Sequence, residues 1–270
     1  QEKAYMQSDL RHTVWWLQNP DSPVVRSPSF TPRNMDENTR RVHLPPGTRS
    51  IEMRFGFVIE TGEGFAEGPL RELQEVVGLA DVDGNIGMFA FRGCSKLTVP
   101  GEQLSDQLKS IDSQAFYGCT QLNLTKLPDA LTNVGNHAFA GCTSLELQTL
   151  PPNLTYVGQG AFERTKINVP RLPPKLYENT ILESTFEGCT ELQLSDGLPE
   201  GLRYIDRNAF KGCTSLDFTK GPPASLRMIH SDAFFGASAE VQDLFACVRR
   251  GRRVPPFYLR WELLRNQPCV

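Results

Sequence analysis

From Phe139 to Phe162 the chain reads FAGCTSLELQTLPPNLTYVGQGAF, and its apolar positions fall in a set order. "LELQTL" alternates apolar and polar residues, as a half-buried strand does. Pro151 lacks the N–H that a ladder needs, so it ends that strand and turns the chain. "LTYV" starts a second short extended piece, which leads through polar and small residues to the next phenylalanine. Gly118, Gly141, Gly188 and Gly212 sit where a tight turn is expected.

The same order recurs along most of the chain. Phe91, Phe116, Phe139, Phe162, Phe186, Phe210 and Phe234 are spaced by 25, 23, 23, 24, 24 and 24 residues. Ala115, Ala138, Ala161, Ala209 and Ala233 stand one before the phenylalanine, and Cys94, Cys119, Cys142, Cys189 and Cys213 three after it. A leucine follows three residues past each of these cysteines, and Leu127-Pro128, Leu150-Pro151, Leu172-Pro173 and Leu198-Pro199 keep register. A fixed period in the twenties marks a solenoid. The pattern predicts a repeat solenoid of short β-strands and turns with short helical or 3-10 segments. No coil of that size buries its apolar side alone, so the stack must be long and its ends covered.

The unit AFxGCTxL…LPxxLxxIxxxAF resembles the BspA-like leucine-rich repeat, the short-coil branch of the leucine-rich family, over roughly residues 86–237. The resemblance implies a leucine-rich repeat solenoid. Residues 43–65 look like a degenerate earlier coil with an insertion. The unit 162–186 departs from the pattern: "RTKINVP" lacks the Gly-Cys pair and one residue, while "YENTILES" has gained two. That coil is expected to be locally distorted.

The ends read differently. Met6, Leu10, Val14 and Leu17 stop at Asn19-Pro20 and have the spacing of an amphipathic helix. Six prolines in residues 20–46 suggest an ordered arm. After the last coil, Val241, Leu244, Phe245 and Val248 form a helical stripe closed by Arg249, Arg250 and Gly251. Pro255-Pro256 is placed to open a second helix carrying Phe257, Trp261 and Leu264. The sequence thus divides into a helical and proline-rich N-terminal extension (1–42), a solenoid (43–237, regular from about 86) and a helical C-terminal cap (238–270).

Composition adds limits. The 270 residues carry 28 basic and 31 acidic side chains, a net charge of −3 that argues against a dedicated nucleic-acid binder. No apolar run approaches the ~20 residues of a membrane span. Gln1 in place of Met points to a start that has been trimmed or processed.

Candidate chemistry is sparse. Five of the seven cysteines share one repeat position and are expected as a buried column of small apolar residues, leaving Cys247 and Cys269 for other uses. There is no C-x-x-C pair and no histidine at ligand spacing. Free thiols fit a reducing compartment, which favours an intracellular or organellar protein that has lost a targeting peptide over an extracellular one. "DVDGNIG" starts like a calcium loop, but Ile86 and Arg92 stand where Gly and Glu are needed, so it reads as a turn. "TGEGFAEG" misses the dinucleotide glycine spacing, and "RRGRR" fits a helix end. His12, His43, His137 and His230 fall at unrelated repeat positions, and no hydrolase, zinc-protease or P-loop motif occurs. No catalytic residue, cofactor or metal is expected.

A solenoid without catalytic residues works through its surface. Two register stripes offer one. Thr98, Asn123, Glu146, Asn168, Gln193 and Asp217 are polar to acidic. Ser110, Asn133, Tyr156, Thr180, Tyr204 and Met228, flanked by Arg203 and Arg227, contain the residue types enriched at interface cores. Trp15 and Trp16, adjacent in the expected helix, cannot both face one core, and Trp261 lies in the cap. The candidate partner-binding residues are therefore Tyr156, Tyr204, Met228, Arg203, Arg227, Trp15, Trp16 and Trp261.

The first functional expectation is a non-catalytic interaction scaffold or a fixed subunit attached to a larger protein assembly. The second comes from the resemblance: BspA-like proteins are often surface-exposed and bind host or matrix proteins, and the sequons at Asn123 and Asn153 allow export. An enzyme with an unrecognised site is the third.

Overall fold

One column of phenylalanine rings runs through the protein. The computed structural model describes residues 71–217, 220–237 and 241–242, preceded by the shorter stretches 13–15, 24–26, 40–44, 50–52, 59–61 and 64–66. Successive rings from Phe91 to Phe234 lie 5.2 to 5.9 Å apart, and all pairs but the first are within 10° of parallel. Each ring is buried, together with the alanine before it or its equivalent and the cysteine column. The repeat therefore specifies a solenoid because residues one period apart touch.

The strands are short. They are β1 (Thr13–Trp15), β2 (Val24–Arg26), β3 (Arg41–His43), β4 (Ser50–Glu52), β5 (Ile59–Thr61), β6 (Gly64–Ala66) and β7 (Glu75–Val77). Then come β8 (Asn85–Ile86), β9 (Ser110–Ile111), β10 (Asn133–Val134), β11 (Tyr156–Val157), β12 (Thr180–Ile181), β13 (Tyr204–Ile205) and β14 (Met228–Ile229). From β8 on, each coil contributes one rung on its second extended segment. The buried member of the rung is Ile86, Ile111, Val134, Val157, Ile181, Ile205 or Ile229, and the other member faces outward.

Four sheets result. A parallel sheet runs β2-β4-β8-β9-β10-β11, another β12-β13-β14, and a third β1-β3-β7, while β5 and β6 form an antiparallel hairpin. The ladders thus extend before residue 43, through β1 on β3 and β2 on β4. The helix expected over 1–18 is replaced at 13–15 by a strand. Thr13 and Val14 are β-branched, and pairing with Arg41 and Val42 gives their backbone the partners a helix would have supplied. The rest of that stretch lies outside the described residues. At the other end Val241 and Gln242 are helical and Val241 is buried, while 243–270 lie outside the described residues.

The first extended segment differs from expectation. Its burial alternates as predicted, with Leu145 and Leu147 buried and Glu146 exposed, but it is not a strand. Neighbouring coils meet there by isolated bonds, such as Asn168 N–H to Leu147 O at 2.9 Å. In one coil a side chain takes over the pairing. Asn123 Oδ1 accepts from Val99 N–H at 2.8 Å, and its Nδ2 donates to Val99 O at 3.4 Å.

The turn around each phenylalanine carries a second set of main-chain bonds, all of one sense. Phe91 N–H donates to Ala115 O at 2.7 Å, Phe116 N–H to Ala138 O at 2.8 Å and Phe139 N–H to Ala161 O at 2.9 Å. The residue two further on repeats it, as in Gly118 N–H to Ala140 O and Gly141 N–H to Glu163 O, both 2.8 Å. This geometry needs a left-handed residue two after the phenylalanine. Gly118, Gly141, Gly188 and Gly212 supply it with φ of 71 to 76°.

The departing unit is distorted, as its sequence implies. Arg164 replaces the turn glycine at φ 55°, and Thr165 replaces the cysteine, its Oγ1 donating to Phe162 O at 2.8 Å. The inserted residues form a 3-10 turn (Tyr177–Asn179) with Glu178 and Asn179 both left-handed. There the sheet is interrupted: β11 and β12 do not pair. The turn bonds persist across the gap, with Phe162 N–H donating to Thr185 O at 2.9 Å. The small cleft that remains, lined by Val157, Leu172, Leu176 and Ile181 among others, has room for about one water molecule.

Candidate interaction surface

The outward members of the rungs form one register stripe in two blocks. Asn85, Ser110, Asn133 and Tyr156 are neighbours in the first block, and Thr180, Tyr204 and Met228 in the second. Just before them, at the corner of each coil, stand Lys109, Thr132 and Thr155, and then Asn179, Arg203 and Arg227. Arg203 N–H donates to Asn179 O and Arg227 N–H to Arg203 O, both at 2.9 Å, so the register holds to the end.

The blocks differ in what their side chains do. In the first, the chain satisfies its own stripe. Thr132 Oγ1 donates to Lys109 O and Thr155 Oγ1 to Thr132 O, both at 3.2 Å. Asn133 Nδ2 donates to Ser110 Oγ at 2.9 Å, Ser110 Oγ to Asp112, and Tyr156 Oη to Asn136 Oδ1 at 3.3 Å. In the second block, Arg203, Tyr204, Arg227 and Met228 make no side-chain hydrogen bond or ion pair among the described residues. All four are exposed, Tyr204 by 38% and Met228 by 64%.

Three carboxylates of these coils are engaged elsewhere. Asp206 Oδ1 accepts from Arg207 N–H at 2.7 Å, and Asp232 lies 3.9 Å from Arg207 Nε and 3.8 Å from His230 Nδ1. Glu178 holds the Tyr177 hydroxyl, first through a hydrogen bond and then through its charge, and raises that phenol's pKa. Glu200, exposed, stands beyond buried Leu202. Arg203 and Arg227 are left as two cations one coil apart, beside the exposed Tyr204 and Met228.

Of the other sequence candidates, Tyr156 is half-buried and belongs to the satisfied block. Trp15 closes β1, while Trp16 and Trp261 lie outside the described residues. The sequence stripe omitted Tyr177. Its N–H donates to Thr155 O at 2.7 Å, so it occupies the corner rung that Thr155 and Arg203 hold elsewhere, and its ring packs at 5.8 Å on Tyr156. The two-residue gain in "YENTILES" was the signal that the register slips there. The first-segment stripe is more self-contained: Thr98 Oγ1 donates to Gln74 O at 3.1 Å, Asn123 is tied to Val99, and Glu146 pairs with Lys166 at 3.4 Å.

Chemistry elsewhere is structural. The Cys119, Cys142, Cys189 and Cys213 thiols each donate at 3.0 Å to the main-chain carbonyl of a phenylalanine in the preceding coil. Burial pushes the Cys189 thiol up to about 11, and those of Cys119, Cys142 and Cys213 also well up. The "TGEGFAEG" stretch contributes to the β5–β6 hairpin, and "DVDGNIG" runs from a 3-10 turn into β8. Among the described residues no three His, Cys, Asp or Glu side chains are grouped to hold a metal ion. Among them, too, no helix is long and apolar enough to cross a membrane.

A family model described as "BspA type Leucine rich repeat region" matches residues 79–193 and 179–244, in six copies. Two solved structures are similar. One is a leucine-rich repeat protein from Bacteroides ovatus ATCC 8483, 20% identical, covering 86% of this chain and 90% of that one at a TM-score of 0.31. The other is a leucine rich cell surface protein from Faecalibacterium prausnitzii A2-165, 17% identical, covering 87% and 93% at a TM-score of 0.26. No curated protein matches the chain.

Proposed function

The chain belongs to the BspA-type leucine-rich repeat family, and from that premise we propose that it is a non-catalytic interaction scaffold, or a fixed subunit of a larger protein assembly. Its contact surface is the second-block stripe of Arg203, Tyr204, Arg227 and Met228. One observation carries this reading. A single register stripe is closed by the protein's own hydrogen bonds from Ser110 to Tyr156 and, among the described residues, left exposed and unpartnered over the coils of Tyr204 and Met228. Solvated polar side chains would suffice for solubility, whereas an exposed tyrosine and methionine beside two arginines have the composition of an interface core.

Native purification tests it. A partner should co-purify at fixed stoichiometry with the unaltered chain and with Thr98→Ala, and be lost with Tyr204→Ala combined with Met228→Ala. Retention of the partner by that folded double variant would refute the assignment. A cell-surface adhesion role would use the same stripe, and labelling of intact cells with an impermeant reagent separates the two settings.

A further inference from the structure

Resting on the interaction reading above, we propose that the partner presents an extended acidic segment to this stripe, with carboxylates on Arg203 and Arg227 and an apolar or aromatic side chain against Tyr204 and Met228.

Arg207, Lys211, Lys166 and Lys96 each have a carboxylate within 4 Å, as does Arg41. Arg203 and Arg227 have none among the described residues, although Asp206 and Asp232 lie within a few positions of them. Those two acids accept from Arg207 N–H or pair with Arg207 and His230 instead. Asp206 and Asp232 are thus engaged by groups other than Arg203 and Arg227, and the patch itself stays cationic.

Geometry sets the ligand's shape. Adjacent parallel rungs are about 4.8 Å apart, so both guanidinium groups stand over neighbouring coils. Carboxylates two residues apart on an extended chain are separated by about 7 Å, within reach of two long side chains. Guanidinium forks bind carboxylates through two parallel hydrogen bonds and also stack on aromatic faces. Tyr204 and Met228, facing each other across the rung, supply the apolar floor.

The test uses the full chain and synthetic polymers in calorimetry at low and moderate salt. A glutamate–tyrosine copolymer should bind, polyglutamate should bind more weakly, and polylysine should not bind. Affinity should fall with salt, and Arg203→Gln with Arg227→Gln should weaken copolymer binding at least tenfold. Lys109→Gln, a cation at the same corner in the first block, should change it less than twofold. Equal losses from Lys109→Gln and the double variant, or no copolymer binding by the folded unaltered chain, would overturn the proposal. A natural partner lost with Tyr204→Ala and Met228→Ala yet insensitive to both arginine substitutions would overturn the acidic chemistry and leave the surface standing. One insensitive to all four would remove the surface as well.

Discussion

The Cys142 thiol donates to the main-chain carbonyl of Phe116, in the coil before it, at 3.0 Å. That oxygen already accepts from Cys119 N–H at 3.0 Å, so the thiol supplies the second bond to a buried acceptor. The repeat's cysteine is therefore a donor fitted between coils, and its burial decides its reactivity. In the folded protein at about pH 8, a disulfide reagent should leave Cys94, Cys119, Cys142, Cys189 and Cys213 unmodified, and urea should expose all five. A Cys247→Ser, Cys269→Ser variant that still reacts rapidly when folded would refute this.

The same thiols make stability depend on alkaline pH. Burial raises the Cys189 pKa from 9.0 to about 11, and those of Cys119, Cys142 and Cys213 rise too. A folded-state pKa above the unfolded one gives stability that is fully present below pH 9 and lost as pH rises, because only the unfolded chain ionises readily. The urea midpoint should be flat to about pH 8.5 and fall steadily above 9. Cys189→Thr, which copies Thr165, should make that fall shallower.

Phe139 lies between Phe116 at 5.5 Å and Phe162 at 5.6 Å, with no exposed surface. Phe139→Ala should cost about 3–5 kcal/mol, as a ring-sized cavity in a packed column does. Phe139→Leu should cost clearly less. Equal effects in a denaturant titration would mean that the column is not continuously packed.

Arg164 stands at φ 55° where the other regular coils have glycine. A side chain in that region costs about 1–2 kcal/mol, partly offset by the chain entropy that glycine loses on folding. Its pairing with Glu163 at 3.6 Å is largely solvated and adds little. Arg164→Gly should therefore raise stability by about 0.5–1 kcal/mol, read as a higher melting temperature. Gly141→Ala, at φ 76°, should lower it.

Between β11 and β12 the ladder is open, while Asp206 N–H to Ile181 O and His230 N–H to Ile205 O, both 2.9 Å, hold the following rungs. Amide exchange at Leu182, the equivalent position in the distorted coil, should be faster than at Asp206 and His230. Equal protection at all three would mean that the sheet is continuous.

The phenylalanine and cysteine columns were legible in the sequence because each residue touches its own repeat. Phe116 stacks on Phe139, so register and contact coincide. Tyr177 was hidden because it enters the stripe through an insertion that shifts register. β1 was hidden for a different reason. Three residues are too few to show a period, and Val14 happens to fit a helical spacing with Met6 and Leu10, while its true partner is Val42, twenty-eight residues on. The contrast between Thr155, bonded to Thr132 O, and Arg227, whose side chain bonds to nothing among the described residues, depends on which atoms meet across coils. Residue type alone does not reveal that.

The main-chain bonds at the phenylalanine turns all point the same way, from an N–H in one coil to a carbonyl in the next. Along that edge the rod is an arrow, with chemically unlike tips. Two copies meeting tip to tip through it can register only head to tail, because a two-fold junction would set donor against donor or acceptor against acceptor. A two-fold pair therefore gains nothing from these bonds, whichever surface it uses.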